Sequence, residues 1–228
     1  MQEALLGNHA LSVCSVLGNA CCFIALYRGE FAEVEHFLGI LADYSSKHEL
    51  EYWTLWGGCF KGAVLIEKGQ REDGIALLRS GFGQLGDRPL DGRFLYLRAH
   101  FAEALGHAGN LDEAFSVVDA AIDSSNQQGQ EVVLPTLFRV RGELFRLLGE
   151  STALAKSEAS FRRSINLARV QGLRARELQT AISLALLSRA HGSPSDALDL
   201  LASVNSSFTE GFETTDLTSA ARLLRSPR

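Results

Sequence analysis

Along most of the chain, apolar side chains gather into long runs with helical spacing, separated by short polar breaks. Five of those breaks, "YRGEF", "EKGQR", "HAGNL", "LLGES" and "AHGSP", each contain a glycine. The first four glycines, Gly29, Gly69, Gly109 and Gly149, fall at an interval of 40, and Gly192 is the fifth. Glycine supplies the left-handed conformation that ends a helix, so each break predicts a helix, a tight turn and a second helix. The predicted pairs are 9–28 with 30–47, 49–68 with 71–85, 93–108 with 111–128, 131–148 with 153–171, and 173–191 with 194–205. "GDRPLDG", from Gly86 to Gly92, has the clearest turn chemistry of the connections. Asn110 and Ser193 are candidate caps for the helices that follow them.

The glycine register aligns further positions. Seven residues before it stand Cys22, Gly62, Ala102, Gly142 and Ala185, all small. Five residues after it stand Val34, Gly74, Ala114 and Ala197, with Ser157 as the fourth counterpart if "STALAKSEASF" carries three extra residues. Four further on come Leu38, Leu78, Val118, Phe161 and Leu201, all large and apolar. Small side chains let two helices approach, and a large apolar one a turn away fills the groove beside them. A hairpin cannot bury its apolar face alone, so the expectation is that hairpins stack on one another. This spacing is that of tetratricopeptide repeats, with three departures: the interval exceeds the usual ~34 residues, the late proline is missing, and charged Lys61 and Arg141 replace a customary leucine. The expected fold is all-α: a right-handed α-solenoid of about five tetratricopeptide-like hairpins in one domain over 1–228. A capping segment over 208–224 closes it, its last helix at 217–224 capped by Thr215 or Asp216.

With 27 acidic against 22 basic side chains and a net charge of −5, the chain has no cationic excess for a phosphate backbone, which argues against nucleic acid as a direct partner. Cys14, Cys21, Cys22 and Cys59 lie inside apolar runs without a C-x-x-C pair; they read as reduced thiols packed as small hydrophobes rather than as metal ligands. The uncharged run from Ala10 to Tyr27 reaches the lower end of a membrane span but contains Ser12, Ser15, Gly18 and Asn19 and has no preceding positive segment. It reads as a buried helix of a cytoplasmic protein, which leaves the sequon at Asn205 without meaning.

"GFGQLG", Gly81 to Gly86, matches a dinucleotide fingerprint but ends a helix instead of following a strand, so it reads as a frayed terminus. The six histidines show no H-E-x-x-H spacing, and there is no G-x-S-x-G. The chain therefore reads as non-enzymatic, without a cofactor or catalytic metal. An enzyme with a spatially assembled site stays as an alternative.

In stacked hairpins of this kind the first helices line a concave wall. Offsets from the small residue place Asn19, Phe23, Trp56, Tyr96, Glu103, Arg139, Glu143 and Arg146 on it as candidate partner contacts. The aromatics would anchor apolar groups of a protein or peptide, and the arginines would pair with its carboxylates. Equally, Trp56 and Tyr96 could pack against neighbouring hairpins while the arginines solvate the wall. A small-ligand pocket near Trp56, Cys59 and Tyr96 is the second functional reading.

"HALSVC" at His9, "WGGCFKGAVLIEKG" at Trp56, "LRARELQTAISLALL" at Leu173 and above all "FTEGFETTDLTSAARLL" at Phe208 resemble the C-terminal repeat region of large bacterial signalling proteins. In that family a winged-helix or adenylate-cyclase domain and an ATPase module precede tetratricopeptide-like repeats. The resemblance implies a regulatory module that receives a protein partner within a transcriptional or signalling regulator. It carries neither ATPase nor cyclase activity here, because the chain lacks a G-x-x-x-x-G-K-[ST] loop and a cyclase metal segment. The uncharged first helix implies a cover from upstream repeats or a second copy of the chain.

Overall fold

A computed structural model describes residues 9–86, 92–191 and 195–225. Among them all regular structure is helical, in eleven α-helices without a strand. The chain divides into two compact units, Met1–Asn110 and Leu111–Arg228.

The first unit holds α1 (Ala10–Arg28), α2 (Phe31–Lys47), α3 (Glu51–Glu67), α4 (Arg71–Leu85) and α5 (Gly92–His107). Each of α1 to α3 packs on the next helix, and α5 lies against α3 and α4. The second unit holds α6 (Leu111–Gln128), α7 (Leu134–Leu148), α8 (Ser151–Val170), α9 (Arg174–Ala190), α10 (Ser195–Ser206) and α11 (Thr215–Arg225). Here α7 packs on α6 and α8, α9 on α8 and α10, and α11 on both α9 and α10. Phe161, Ile165, Leu178, Leu184, Leu201 and Leu217 form its core.

Gly29, Gly69, Gly109 and Gly149 all adopt the predicted left-handed conformation, with φ of 78°, 85°, 84° and 71°. At the first three, one hydrogen-bond pattern closes the turn. Gly29 N–H donates to Leu26 O and Glu30 N–H to Ala25 O; Gly69 and Gln70, then Gly109 and Asn110, repeat both bonds. This satisfies carbonyls that a helix end otherwise leaves bare. The same device ends second helices, where the sequence reading did not place it: Gly129 and Gly172 close α6 and α8, and Glu49, at φ 54°, closes α2 without a glycine.

The small positions do what the register predicts. Gly62 on α3 and Gly74 on α4 face one another so closely that a β-carbon on either would meet the other's carbonyl oxygen. In the second unit the Phe161 ring lies on Gly142, and Ser157 Oγ donates to Gly142 O at 2.8 Å. Ser157 is therefore the fourth-hairpin counterpart, three residues late.

Four details differ from the sequence reading. First, α1 contains a π-turn at Leu17–Cys21, where the Cys22 N–H goes to Leu17 O instead of Gly18 O. Second, "GFGQLG" does not fray: α4 runs to Leu85, with Gly81 and Leu85 buried and Gly81 pressed against the Cys59 sulfur. Third, the fourth hairpin opens with a 3₁₀ turn at Glu131–Val133, and Pro135, which has no N–H to donate, starts α7. Fourth, α11 begins at Thr215, so Thr215 and Asp216 lie in its first turn and Asp216 Oδ2 accepts from Gln179 Nε2 at 2.8 Å. The "GDRPLDG" turn, Gly192 with its proposed cap Ser193, and the start at Pro194 fall wholly or partly outside the described residues.

Candidate interaction surfaces

Of the eight predicted wall residues, Asn19, Phe23, Trp56, Tyr96 and Glu103 belong to the first unit and Arg139, Glu143 and Arg146 to the second.

In the first unit Phe23 and Tyr96 do meet, edge to face with centroids 5.6 Å apart. Tyr27, one turn after Phe23, joins them at 6.0 and 5.7 Å. Tyr96 also packs edge-on to His100 at 4.8 Å, and His100 Nδ1 lies 3.1 Å from Glu67 Oε1. Phe23 is half-buried, Tyr27 is 38% exposed and Tyr96 only 6%. The cluster thus turns an aromatic edge, with a carboxylate and an imidazole beside it, partly towards solvent. Glu103 is half-buried on the same helix as Tyr96. Spacings of four, from Phe23 to Tyr27 and from Tyr96 to His100, were visible in the sequence as single helix faces; nothing there pointed to Glu67.

Trp56 goes elsewhere. Its ring is 1% exposed, stacks on Phe94 at 5.3 Å and meets Phe60 edge-on at 5.2 Å. Its indole N–H donates to Gly18 O at 3.3 Å, taking the carbonyl that the π-turn deprived of the Cys22 donor. Gly18 must be glycine here, since a β-carbon would lie 2.8 Å from the Trp56 and Trp53 rings. The Asn19 carbonyl beside it accepts from Arg93 Nη1 at 3.2 Å, and its side chain donates to Ser15 Oγ. Trp56 and Asn19 therefore secure α1. Cys59 is fully buried against Gly81, and Trp56 and Tyr96 are 1% and 6% exposed.

Burial pushes the Cys22 and Cys59 thiols up to about 12, and raises Cys14 and Cys21 less. All four stay protonated near neutrality and are poor nucleophiles or metal ligands. Among the described residues no three His, Cys, Asp or Glu side chains converge as a metal site.

In the second unit α7 carries Arg139 and Arg146, both half-buried, around the 9%-exposed Glu143. Arg146 Nε donates to Glu143 Oε2 at 2.7 Å. On α9, which packs against α7, Arg176 Nη1 donates to Gln179 Oε1 at 2.6 Å, and Gln179 bridges on to Asp216. Arg176 was not predicted, and Asp216 was expected only as a helix cap. This polar seam can orient carboxylate and amide groups through guanidinium forks.

Helix α1, 19 residues long, is apolar enough by length and composition to cross a membrane; in the fold it buries Val13, Cys14, Leu17, Cys22, Ala25 and Leu26.

No protein-family model matches the chain. An uncharacterized protein of Rhizobium meliloti (strain 1021) is 28% identical over 156 residues, 65% of this chain. The match spans only 14% of that relative's length. Among solved structures, the crystal structure of BtubC (BKLC) from P. vanneervenii resembles this fold with a TM-score of 0.52 at 15% identity, over 96% of this chain and 81% of that one. At that identity the likeness concerns the fold.

Proposed function

We propose that the chain is a non-enzymatic interaction module of a bacterial transcriptional or signalling regulator, acting in the cytoplasm. In this reading the hairpins are successive turns of a right-handed, tetratricopeptide-like solenoid ending in the α11 cap. The observation that carries it is the repeated hairpin itself: left-handed glycines 40 residues apart, with small residues at the crossings of the second and fourth hairpins. Units of this design expose one face of every first helix, and extended concave faces serve as binding surfaces. Resemblance of the "FTEGF" segment to the repeat region of large regulators supports the setting, as does the long relative in which the matched stretch is a small part.

The partner contacts are four half-buried members of the wall, Phe23 and Glu103 in the first unit, Arg139 and Arg146 in the second. Trp56 and Tyr96 support the wall from beneath. The test places a photo-crosslinking amino acid at Arg139 and at Glu103 in cells that express the protein. Crosslinks to one defined partner, abolished by Arg146→Glu, are expected; crosslinks that are absent or unchanged by the substitution would remove the wall from the proposal.

A further inference from the structure

The first helix of a pair keeps one stripe for the helix that precedes it. On α3, Thr54 and Gly57 stand eight and five residues before the small Gly62, and both meet α2: Thr54 Oγ1 donates to Ser45 Oγ at 3.1 Å, and a β-carbon on Gly57 would lie 3.3 Å from Leu41. On α9, Glu177 and Thr180 hold the same offsets from Ala185 and meet α8 through Arg169 and Ser164. Two turns further along that stripe, two residues after the small position, stand Val64, Ala104, Leu144 and Leu187, each 5% exposed or less. Ile24 holds this position on α1 and is 53% exposed. Half-buried Val16 and exposed Ser12 continue the stripe once the π-turn has absorbed its extra residue. One helix-on-helix interface thus recurs along the chain, as α2 on α3, α4 on α5, α6 on α7 and α8 on α9, and α1 carries the receiving side of it open.

We propose that two copies of the chain pair through this stripe, α1 against α1 about a two-fold axis. The recurrence of the interface selects a helix as the occupant, and charge selects which helix. From Ala10 to Tyr27 there is no charged residue, so a helix that brought a charge onto the stripe would bury it without a partner. Among the described helices every other one carries acidic or basic side chains within its length, and α1 has only Arg28, at its last position. A two-fold axis lets the one neutral stripe serve as both surfaces. With the axis across the helices they run antiparallel, so Ser12 and Val16 of each copy lie along Ile24 of the other. A bilayer surface is disfavoured, because α1 commits Val13, Cys14, Leu17, Cys22, Ala25 and Leu26 to the core and leaves only a narrow stripe that includes a serine. Ile24 lies about 100° around α1 from Phe23, so this face and the wall can fail independently.

The experiment is sedimentation velocity of the intact 228-residue chain over a concentration series. A single helix crossing is a small interface, so a dimer that dissociates in roughly the micromolar range is expected. Ile24→Glu should weaken pairing by about tenfold or more, since each copy would then bury a carboxylate. Leu186→Glu, at an exposed apolar site on α9, should leave it unchanged. Circular dichroism and Tm of both variants, expected to match the parent, separate lost pairing from misfolding. Benzoylphenylalanine in place of Ile24 should crosslink to α1 of a second copy. The proposal is overturned if the chain is monomeric throughout, if Ile24→Glu pairs like the parent, or if the crosslinks map outside α1. It is equally overturned if Ile24 instead governs co-sedimentation with phosphatidylcholine vesicles.

Discussion

A β-carbon placed on Gly74 would lie 2.6 Å from the carbonyl oxygen of Gly62, and one on Gly62 would lie 2.9 Å from that of Gly74. Backbone meets backbone at this crossing, so no flexible side chain can move aside. Gly74→Ala is expected to destabilise the protein by about 1–3 kcal/mol despite the better helix propensity of alanine. Gly39, in the middle of α2, meets nothing within 4 Å, and Gly39→Ala should stabilise by about 0.5–1 kcal/mol. Urea unfolding of the two variants should move the midpoint in opposite directions.

Glu49 holds the left-handed position after α2 that Gly129 and Gly172 hold after α6 and α8. Its side chain carries a steric penalty there, and its charge lies at a helix C-terminus, which disfavours anions. Glu49→Gly should raise stability by about 1 kcal/mol, read as a higher Tm; Glu49→Val should lower it.

Trp56→Phe keeps an aromatic ring against Phe94 but leaves Gly18 O without the indole donor, inside a region closed to water. The expected loss is about 1–3 kcal/mol for the unpaired carbonyl. Trp56→Ala adds a cavity and should cost about 3–5 kcal/mol. Chemical denaturation followed by far-UV circular dichroism measures both.

The buried thiols make the fold sensitive to alkali. Burial holds Cys22 and Cys59 up to about 12 when folded, and unfolding returns them to the ordinary range near 9. Between those values the unfolded chain binds fewer protons than the native one, so stability falls as pH rises. Each thiol contributes a slope of roughly 1.4 kcal/mol per pH unit in that window. Below about pH 9 the two have no effect. Denaturation curves from pH 8 to pH 11 should show the decline, and Cys59→Ala should flatten it by about half. The thiols should also react with Ellman's reagent far more slowly in the native protein than after unfolding.

The hairpins were legible because their causes are local. A left-handed glycine, a small residue at a crossing and a large one beside it each leave a mark at a fixed offset, and Gly62, Gly74, Gly142 and Ser157 occupy the positions the register assigns. Helix ends shifted by at most three residues for the same reason. The candidate surfaces were legible only in part. Offset counting placed Trp56 either on the wall or packed against a neighbouring hairpin; the ring is buried, with its indole N–H bonded to Gly18 O at the π-turn of Leu17–Cys21, a contact no offset records. Glu67 beside His100 and Asp216 beside Gln179 depend on contacts between different helices, which no spacing along one helix records.

That π-turn bears on how the chain tolerates changes of length. Up to its first residue α1 buries Val13, Cys14 and Leu17, and after it Cys22, Ala25 and Leu26, a set displaced by one position from what an uninterrupted helix would continue. One residue corresponds to about 100° of rotation, and the wide turn absorbs that rotation so that both halves keep facing the core. Removing Ala20 would then relax α1 to regular winding with its inward set intact, whereas the same one-residue deletion in the middle of α3 would swing half of that helix towards water. The protein carries its spare residue where the helix can lose it.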